Sequence, residues 1–267
     1  MGFYDLSKTE RQKLVNEIEG KILEVILDLG SVTDNNDIII PETIWNYSSD
    51  NDTYIRRNAY LAIGRIYFTH IELEKKILRL LDAMSEDNNE RVRQTSVYAL
   101  GEIGKKDADI VFKPFEKALV DKHHSVRNAV IGALKQMGLK NPIPTFKFAK
   151  KHLHDDDPKI RREIIHGIEL RGRKHPEEVL PLLKELQNEK VKAVRDMIIH
   201  VIGQISYKKG CLEIVVENLN SWTNRELVIE VSKEVVKVHT RYKFATRTPE
   251  EANEYMKNHL ILFINEK

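Results

Sequence analysis

The sequence predicts an all-α, right-handed solenoid (an α-α superhelix) of about five to six helix pairs with terminal capping helices. Three observations predict it. Similar segments recur every 34 residues after a first interval of 37. Apolar residues within each segment recur at helical spacing. The chain is also rich in charge (31%), and it has no apolar run of the roughly 20 residues that span a bilayer.

An apolar residue followed by arginine marks the same position in every segment. Counted from the arginine, positions −1, +3, +6 and +7 fall on one face of a helix. Position +7 is always Ile or Leu, from Ile63 in the first segment to Ile202 in the fifth. This pattern predicts the second helix of each pair. The marker residues are Arg56, Arg93, Arg127, Arg161 and Arg195.

An acidic residue lies six positions before each of these arginines. A carboxylate at this position can cap the following helix and accept hydrogen bonds from an arginine of its own or the neighbouring repeat. The ten residues are therefore predicted to form a structural ladder and not a catalytic set. The acidic members are Asp50, Asp87, Asp121, Asp155 and Glu189.

This ladder resembles that of HEAT repeats, and roughly residues 50–207 are similar to the short bacterial and archaeal type labelled phycobilisome-lyase-like. The resemblance implies a scaffold that binds a partner. Residues 174–222 are similar, more weakly, to the HEAT-like alkylpurine DNA glycosylases in the spacing of their helix pairs. That family uses tryptophans with an Asp and an Arg on a basic concave surface. Here Trp45 and Trp222 lie far apart in the chain, and no Trp-Trp-Asp cluster is found.

A single domain is predicted over residues 1–267, with caps in 1–49, repeats in 50–207, and a degenerate sixth repeat and a cap in 208–267. Ser7 and Glu10 form a capping box that opens a helix to about Leu29. The polar loop Gly30–Asp37 and a short element around Ile44 follow. A degenerate second helix over 224–239 and a last helix from Pro249 complete the chain.

The first helices are predicted in the gaps between the second helices. Pro114 and Pro181 fall inside two of them, and a proline inside a helix costs about 3 kcal/mol unless the helix bends there. Bent first helices are common in HEAT units. The predicted ranges are 68–84, 108–120, 142–153, 176–186 and 211–219.

The face opposite the buried stripe predicts a binding groove, formed by positions +1, +5, +8 and +12. It contains three candidate phosphate contacts, Lys135, Arg162 and Arg173, and two candidate stacking rings, Tyr98 and Tyr207. Glycines in these columns would let a ligand approach the backbone. The remaining predicted groove residues are Arg57, Gln94, Asn128, His166 and His200.

The net charge of +2 conceals a basic middle. Residues 105–175 carry 17 Lys and Arg against nine Asp and Glu, and they hold six of the ten histidines. Such a block suggests an anionic partner, with nucleic acid the first candidate. Glu169 and Asp196 interrupt the positive field of the groove, so a solvated polar face is the competing interpretation.

No catalytic, cofactor or metal site is predicted. The chain has no P-loop, dinucleotide motif, nucleophile elbow or zinc-protease helix. His152 and His154 are two residues apart near a helix end and would diverge. His166 and His200 share a column but have no carboxylate at a supporting offset. The lone Cys211 suits a buried thiol and a reducing compartment, so a cytoplasmic location is predicted.

The leading hypothesis is a non-enzymatic HEAT scaffold that binds a protein or peptide in the groove, without a membrane segment. The alternative is nucleic-acid binding through the basic middle, including recognition of DNA alkylation damage or glycosylase activity. A third hypothesis, a lyase or lyase chaperone for a bilin-like chromophore, rests on the repeat type alone.

Overall fold

A computed structural model describes residues 2–29 and 39–264, with side chains as far as residue 262. The predicted polar loop Gly30–Asp37 lies outside the described residues. All regular elements in the described ranges are helical, so the predicted all-α fold is confirmed. No described helix combines the length and the hydrophobicity that a membrane crossing requires.

The chain forms two compact units, unit 1 (Met1–Ala133) and unit 2 (Leu134–Lys267). In unit 1 the predicted capping box opens the first helix: Ser7 Oγ accepts from the Glu10 N–H, and the Glu10 carboxylate accepts from the Ser7 N–H. Two 3-10 turns, Phe3–Asp5 and Ile71–Leu73, accompany the helices. The α-helices are α1 (Lys8–Asp28), α2 (Glu42–Ser49), α3 (Thr53–Thr69), α4 (Glu74–Ser85), α5 (Glu90–Gly104), α6 (Asp109–Leu119) and the first part of α7 (His124–Lys140).

In unit 1 the arginine-bearing helices are second helices, as predicted. Helix α3 packs on α2 and α5, and α5 also packs on α4 and α6. One first helix is shorter than the predicted range 68–84. Phe68 still belongs to α3, which ends where the backbone of His70 leaves the helical region, and α4 begins only at Glu74.

Unit 2 repeats the same helix pair. The first helices α8, α11 and α13 match their predicted ranges to within one residue at either end. Helices α13 and α14 follow, both pack on α12, and Asn224 caps α14. The second helix of the fourth repeat is interrupted at Ile168. The helices are the rest of α7, α8 (Pro142–His152), α9 (Pro158–Gly167), α10 (Glu169–Gly172), α11 (Pro176–Glu185), α12 (Lys192–Ser206), α13 (Cys211–Leu219), α14 (Arg225–Arg241), α15 (Pro249–His259) and α16 (Ile261–Ile264).

The core of each unit contains the apolar columns that predicted the second helices. At position +7, Ile63 and Leu100 in unit 1 and Ile168 and Ile202 in unit 2 are all at most 4% exposed. Full burial of an aliphatic side chain contributes about 1.5–3 kcal/mol. These columns therefore stabilise the helix pairs, and the polar positions remain for contacts between pairs or with partners.

Candidate interaction face of the second helices

The ladder of unit 1 links neighbouring repeats. Arg93 donates Nε and Nη2 to the two carboxylate oxygens of Asp121 at 2.8 and 3.0 Å, and Nη1 to the carbonyl of Asp87 at 2.8 Å. Burial raises the pKa of Asp121, but hydrogen bonds from Arg93 and the His123 N–H outweigh it and lower that pKa. The same carbonyl contact is made by Arg56 to Asp50 and by Arg127 to Asp121.

Unit 2 continues the pattern. Arg161 donates to both oxygens of Glu189 at 2.9 and 3.1 Å and to the Asp155 carbonyl at 2.8 Å. Arg195 pairs with Glu230 at 2.8 Å, an acidic partner outside the predicted ladder. An arginine that binds the carbonyls after a first helix satisfies acceptors that the helix end leaves open. The charges of these ladder residues are thus engaged within the framework.

Glycines of the predicted groove face neighbouring helices. A Cβ at Gly101 would lie 2.7 Å from Ala133 Cβ, and one at Gly203 would lie 2.8 Å from Glu234 Cγ. A Cβ at Gly64 would meet Glu102 at 2.6 Å. Such short distances show that these positions hold glycine so that helices can approach each other. This corrects the expectation that they leave room for a ligand.

The groove residues of unit 1 divide into packed and exposed ones. Gln94 Nε2 donates to the Ser125 carbonyl at 3.1 Å. Tyr98 is half-buried and stacks on Tyr60 with ring centroids 5.1 Å apart, and its burial raises its pKa. The exposed members are Arg57 and Asn128.

In unit 2, four polar residues of the predicted groove meet around the buried carboxylate of Glu169. Glu169, at the start of α10, accepts from Lys135 Nζ at 3.0 Å and from Arg173 Nη2. His166 Nε2 lies 3.1 Å and His200 Nε2 lies 3.7 Å from the same carboxylate. We call these five residues the Glu169 cluster.

The electrostatics of the Glu169 cluster favour the carboxylate. Burial raises the pKa of Glu169, but the two histidine hydrogen bonds and the charges of Lys135 and Arg173 outweigh burial, so the pKa lies far below its usual range. His166 Nε2 also lies 2.7 Å from Lys135 Nζ. That nitrogen accepts from the ammonium when it is unprotonated and donates to Glu169 when it is protonated.

Arg173 extends this network to the aromatic end of unit 2. It donates to Tyr207 Oη at 3.1 Å and to Gln204 Oε1 at 2.7 Å. Tyr207 is only 3% exposed, because Tyr242 and Phe244 cover its ring at centroid distances of 5.1 and 5.6 Å. Tyr207 therefore cannot stack on a ligand as the sequence suggested. The exposed ring here is Phe244, which the groove columns missed.

The cluster's two histidines and its carboxylate could share a metal ion. The ligand atoms of His166, Glu169 and His200 lie within 4.8 Å of one another. Glu169 thus supplies beside the two histidines the carboxylate that their spacing in the sequence did not predict. The ammonium of Lys135 already contacts two of these three residues, so a cation such as zinc would first have to displace it.

Beside the Glu169 cluster, the face of the second helices is exposed to solvent. Arg162 is exposed on α9. Between α12 and α14 lies an open cavity of about 320 Å³ that we call the α12–α14 hollow. Cys211 is buried away from it, and burial raises the pKa of its thiol. The charged and polar residues of the hollow are Asp196, His200, Glu230, Lys233, Glu234 and Lys237.

Comparisons with known proteins support a helical-repeat fold. A family model described as non-SMC mitotic condensation complex subunit 1 matches residues 40–123. No curated protein matches. The solved structure of smu.31 from Streptococcus mutans UA159 is similar, with a TM-score of 0.52 and 16% identity over 67% of this chain and 95% of its own.

Two further solved structures are similar at lower TM-scores. AlkD2 from Streptococcus mutans has a TM-score of 0.49 and 15% identity over 82% of this chain and 98% of its own. The complex of CpcE and CpcF of phycocyanin lyase from Nostoc sp. PCC7120 has a TM-score of 0.33 and 15% identity over 84% and 97%. At 16% identity, the likeness to smu.31 concerns the fold alone. The resemblance to HEAT-like repeat proteins expected from the sequence is confirmed.

Proposed function

We propose that this chain is a non-enzymatic, cytoplasmic scaffold that binds a protein or peptide partner on the face of its second helices. The observation that carries the proposal is the mixed charge of the α12–α14 hollow, where three carboxylates stand beside two lysines and a histidine. A surface with both signs side by side matches a protein that also carries both signs. A phosphate backbone would be repelled by the carboxylates.

The ion pairing of the three predicted phosphate contacts also favours a protein partner over nucleic acid. Lys135 and Arg173 are both paired with the buried Glu169, so their charge is compensated within the fold. Among the described residues, Arg162 alone of the three is exposed and has no ion pair. One such arginine provides little of the cationic surface that a nucleic-acid site requires.

A site-specific photo-crosslinking experiment tests the proposal. A benzophenone amino acid replaces Arg162 or His200 on the second-helix face, and Lys147 on the first helix α8 as the control. In cells, the two face positions should each give a discrete protein crosslink that the Lys147 position does not give. Equal labelling at all three positions, or no labelling, contradicts the proposal.

The nucleic-acid alternative is tested separately. It requires binding of a generic DNA duplex at about 50 mM salt and a steep loss of affinity as salt rises. Its enzymatic form also requires release of methylated purines from DNA. We expect neither. Salt-dependent duplex binding that is lost in Arg162→Glu, which leaves the ion pairs of Glu169 intact, would replace our proposal by the alternative.

A further inference from the structure

A row of exposed lysines follows the second helices of unit 2. Lys140, Lys174, Lys208 and Lys243 recur at intervals of 34, 34 and 35 residues. Each lies at the last residue of α7 or two residues beyond α10, α12 or α14, and all four are exposed. Among the described residues, none of the four has an ion-pair partner. We call these residues the lysine row.

The spacing of the lysine row follows from helix packing. A Cβ at Gly172 of α10 would meet Ile205 of α12 at 2.5 Å, and one at Gly203 of α12 would lie 3.2 Å from Val238 of α14. Consecutive second helices are therefore in direct contact, and the axes of such helices lie about 8–10 Å apart. Equivalent residues at their ends recur at about the same interval.

An exposed aromatic ring lies at the end of the lysine row. Phe244 is 63% exposed and follows Lys243 directly. One face of its ring stacks on Tyr242 at 5.1 Å between centroids, and Lys208 Nζ lies 5.6 Å from the Phe244 centroid. The ring thus offers an apolar edge and not a free face.

We propose that the lysine row binds an extended acidic segment of the partner protein, with a carboxylate at every third residue and an apolar side chain that contacts Phe244. In the polyproline II conformation every third residue points the same way at about 9.3 Å, which matches the interval of the row. This inference rests on the proposed function, since it assumes that the partner is a protein.

The same features disfavour nucleic acid on this surface. A duplex carries one phosphate charge per about 1.7 Å of axis, whereas the row supplies one cation per about 9 Å. Base stacking needs an open ring face. An extended peptide with one carboxylate per about 9.3 Å matches the charge spacing of the row and does not need an open ring face.

The lysines have an alternative role, because cations near a helix C-terminus interact favourably with the helix dipole. That role affects stability alone and is independent of any ligand. Binding measurements therefore separate it from the proposal. Thermal unfolding and helicity, recorded for each variant, show whether the fold is retained.

The probe is a fluorescent peptide with four glutamates, one at every third position, proline between them and a C-terminal leucine. The comparison peptide has the same composition with its glutamates consecutive. We expect the spaced peptide to bind at least about fivefold more tightly, since only its carboxylates can meet successive lysines. Its affinity should fall as salt rises.

Matched variants of the protein locate the site. Triple charge reversal of Lys140, Lys174 and Lys208 should weaken binding of the spaced peptide by at least about tenfold. The control is the triple charge reversal of Lys147, Lys150 and Lys190, three exposed lysines away from the row, and it should change affinity less than about twofold.

Phe244→Ser should weaken binding of the spaced peptide several-fold. If the charge-reversed row unfolds, the glutamine triple variant replaces it.

The proposal is overturned if the two triple variants lose equal affinity for the spaced peptide, or if the unaltered protein binds the two peptides equally well. Tighter binding of a single-stranded oligonucleotide than of the spaced peptide, lost in the row variant, overturns it in favour of nucleic acid. Failure of the inference alone is recognisable, because the protein crosslinks at Arg162 and His200 would persist while the acidic peptide does not bind.

Discussion

At the scale of single residues, Glu169 shows how the basic middle of the chain is compensated. Its side chain is only 3% exposed, yet it remains charged because Lys135, Arg173 and two histidines surround it. A buried ion pair adds little net stability, but removal of one partner leaves the other charge without compensation. The cluster is therefore sensitive to any change at its central carboxylate.

We expect Glu169→Gln to lower the free energy of unfolding by about 3 kcal/mol, because it leaves two partly buried cations without their counter-ion. Urea unfolding followed by circular dichroism measures the change. Asp196→Asn is the control: its pair with Lys192 is exposed, so the loss should stay below about 0.5 kcal/mol. Similar losses in the two variants would show that the cluster does not act as a buried network.

His239 gives the chain a predictable response to acid. It is 4% exposed, and its Nδ1–H donates to the Val235 carbonyl at 2.9 Å. Burial lowers its pKa and the nearby Arg247 lowers it further, although the Val235 bond acts in the opposite direction. The imidazole therefore stays neutral in the fold at a pH where the unfolded chain already binds a proton.

It follows that stability falls as the pH drops below about 6.5, the usual histidine value, towards the lowered pKa of the folded state. His239→Leu removes this titration. Between pH 7 and 5 the free energy of unfolding of the wild type should fall more steeply than that of the variant, by at most about 1.4 kcal/mol per pH unit. Parallel curves for the two proteins would contradict this assignment.

At the scale of elements, the glycines of the second helices decide how closely helices pack. Gly101 lies in the interior of α5, where alanine is normally favoured by about 0.5–1 kcal/mol. A Cβ there would lie 2.7 Å from Ala133 Cβ and 3.2 Å from Ala133 Cα. Neither atom can rotate away, so the backbone would have to shift.

Gly101→Ala should therefore destabilise the protein by about 1–3 kcal/mol, the usual cost of overpacking. Gly20→Ala is the matched control, because Gly20 lies inside α1 with no atom within 4 Å of its added Cβ. That variant should be neutral or gain up to about 1 kcal/mol in chemical denaturation. A stabilised Gly101→Ala would mean that the glycine serves something other than helix packing.

The same elements show what the sequence could predict. The second helices, the Ser7 capping box and the first helices α8, α11 and α13 followed from periodicity and end signals that are local in the chain. The role of Gly101 did not, because its column also holds Lys135 and Glu169, and a position in a column does not show which neighbouring helix it faces. Tyr207 was misjudged for the same reason, since the residues that cover it lie about 35 positions away.

Two features were present in the sequence and were missed. The lysine row has nearly the period of the repeat itself, but three of its lysines lie one residue beyond the last column assigned to the groove, and Lys243 lies in a segment that was given no column. Glu169 was expected in the groove as an interruption of its positive charge, but its closeness to His166, three residues earlier and across the helix break at Ile168, was not expected. Both lie in turns or breaks, where helical periodicity no longer indicates direction.

At the scale of the whole molecule, stability in a repeat protein is approximately a sum of repeat terms and neighbour interfaces. In unit 2 the contacts of Glu169 reach α7, α9, α10 and α12. Helix α15 packs instead on α13, α14 and α16. A defect at Glu169 should therefore remain local within this unit.

Amide hydrogen exchange of Glu169→Gln tests this expectation. Exchange in α9, α10 and α12 should accelerate about 10- to 100-fold, since each 1.4 kcal/mol of lost local stability corresponds to a factor of ten. Exchange in α15 should change less than about threefold, because a terminal helix already exchanges through its own local opening. Asp196→Asn should leave all of these rates nearly unchanged. A uniform acceleration from α8 to α15 would instead show that unit 2 unfolds as one cooperative block, in which the defect at Glu169 is shared by every helix.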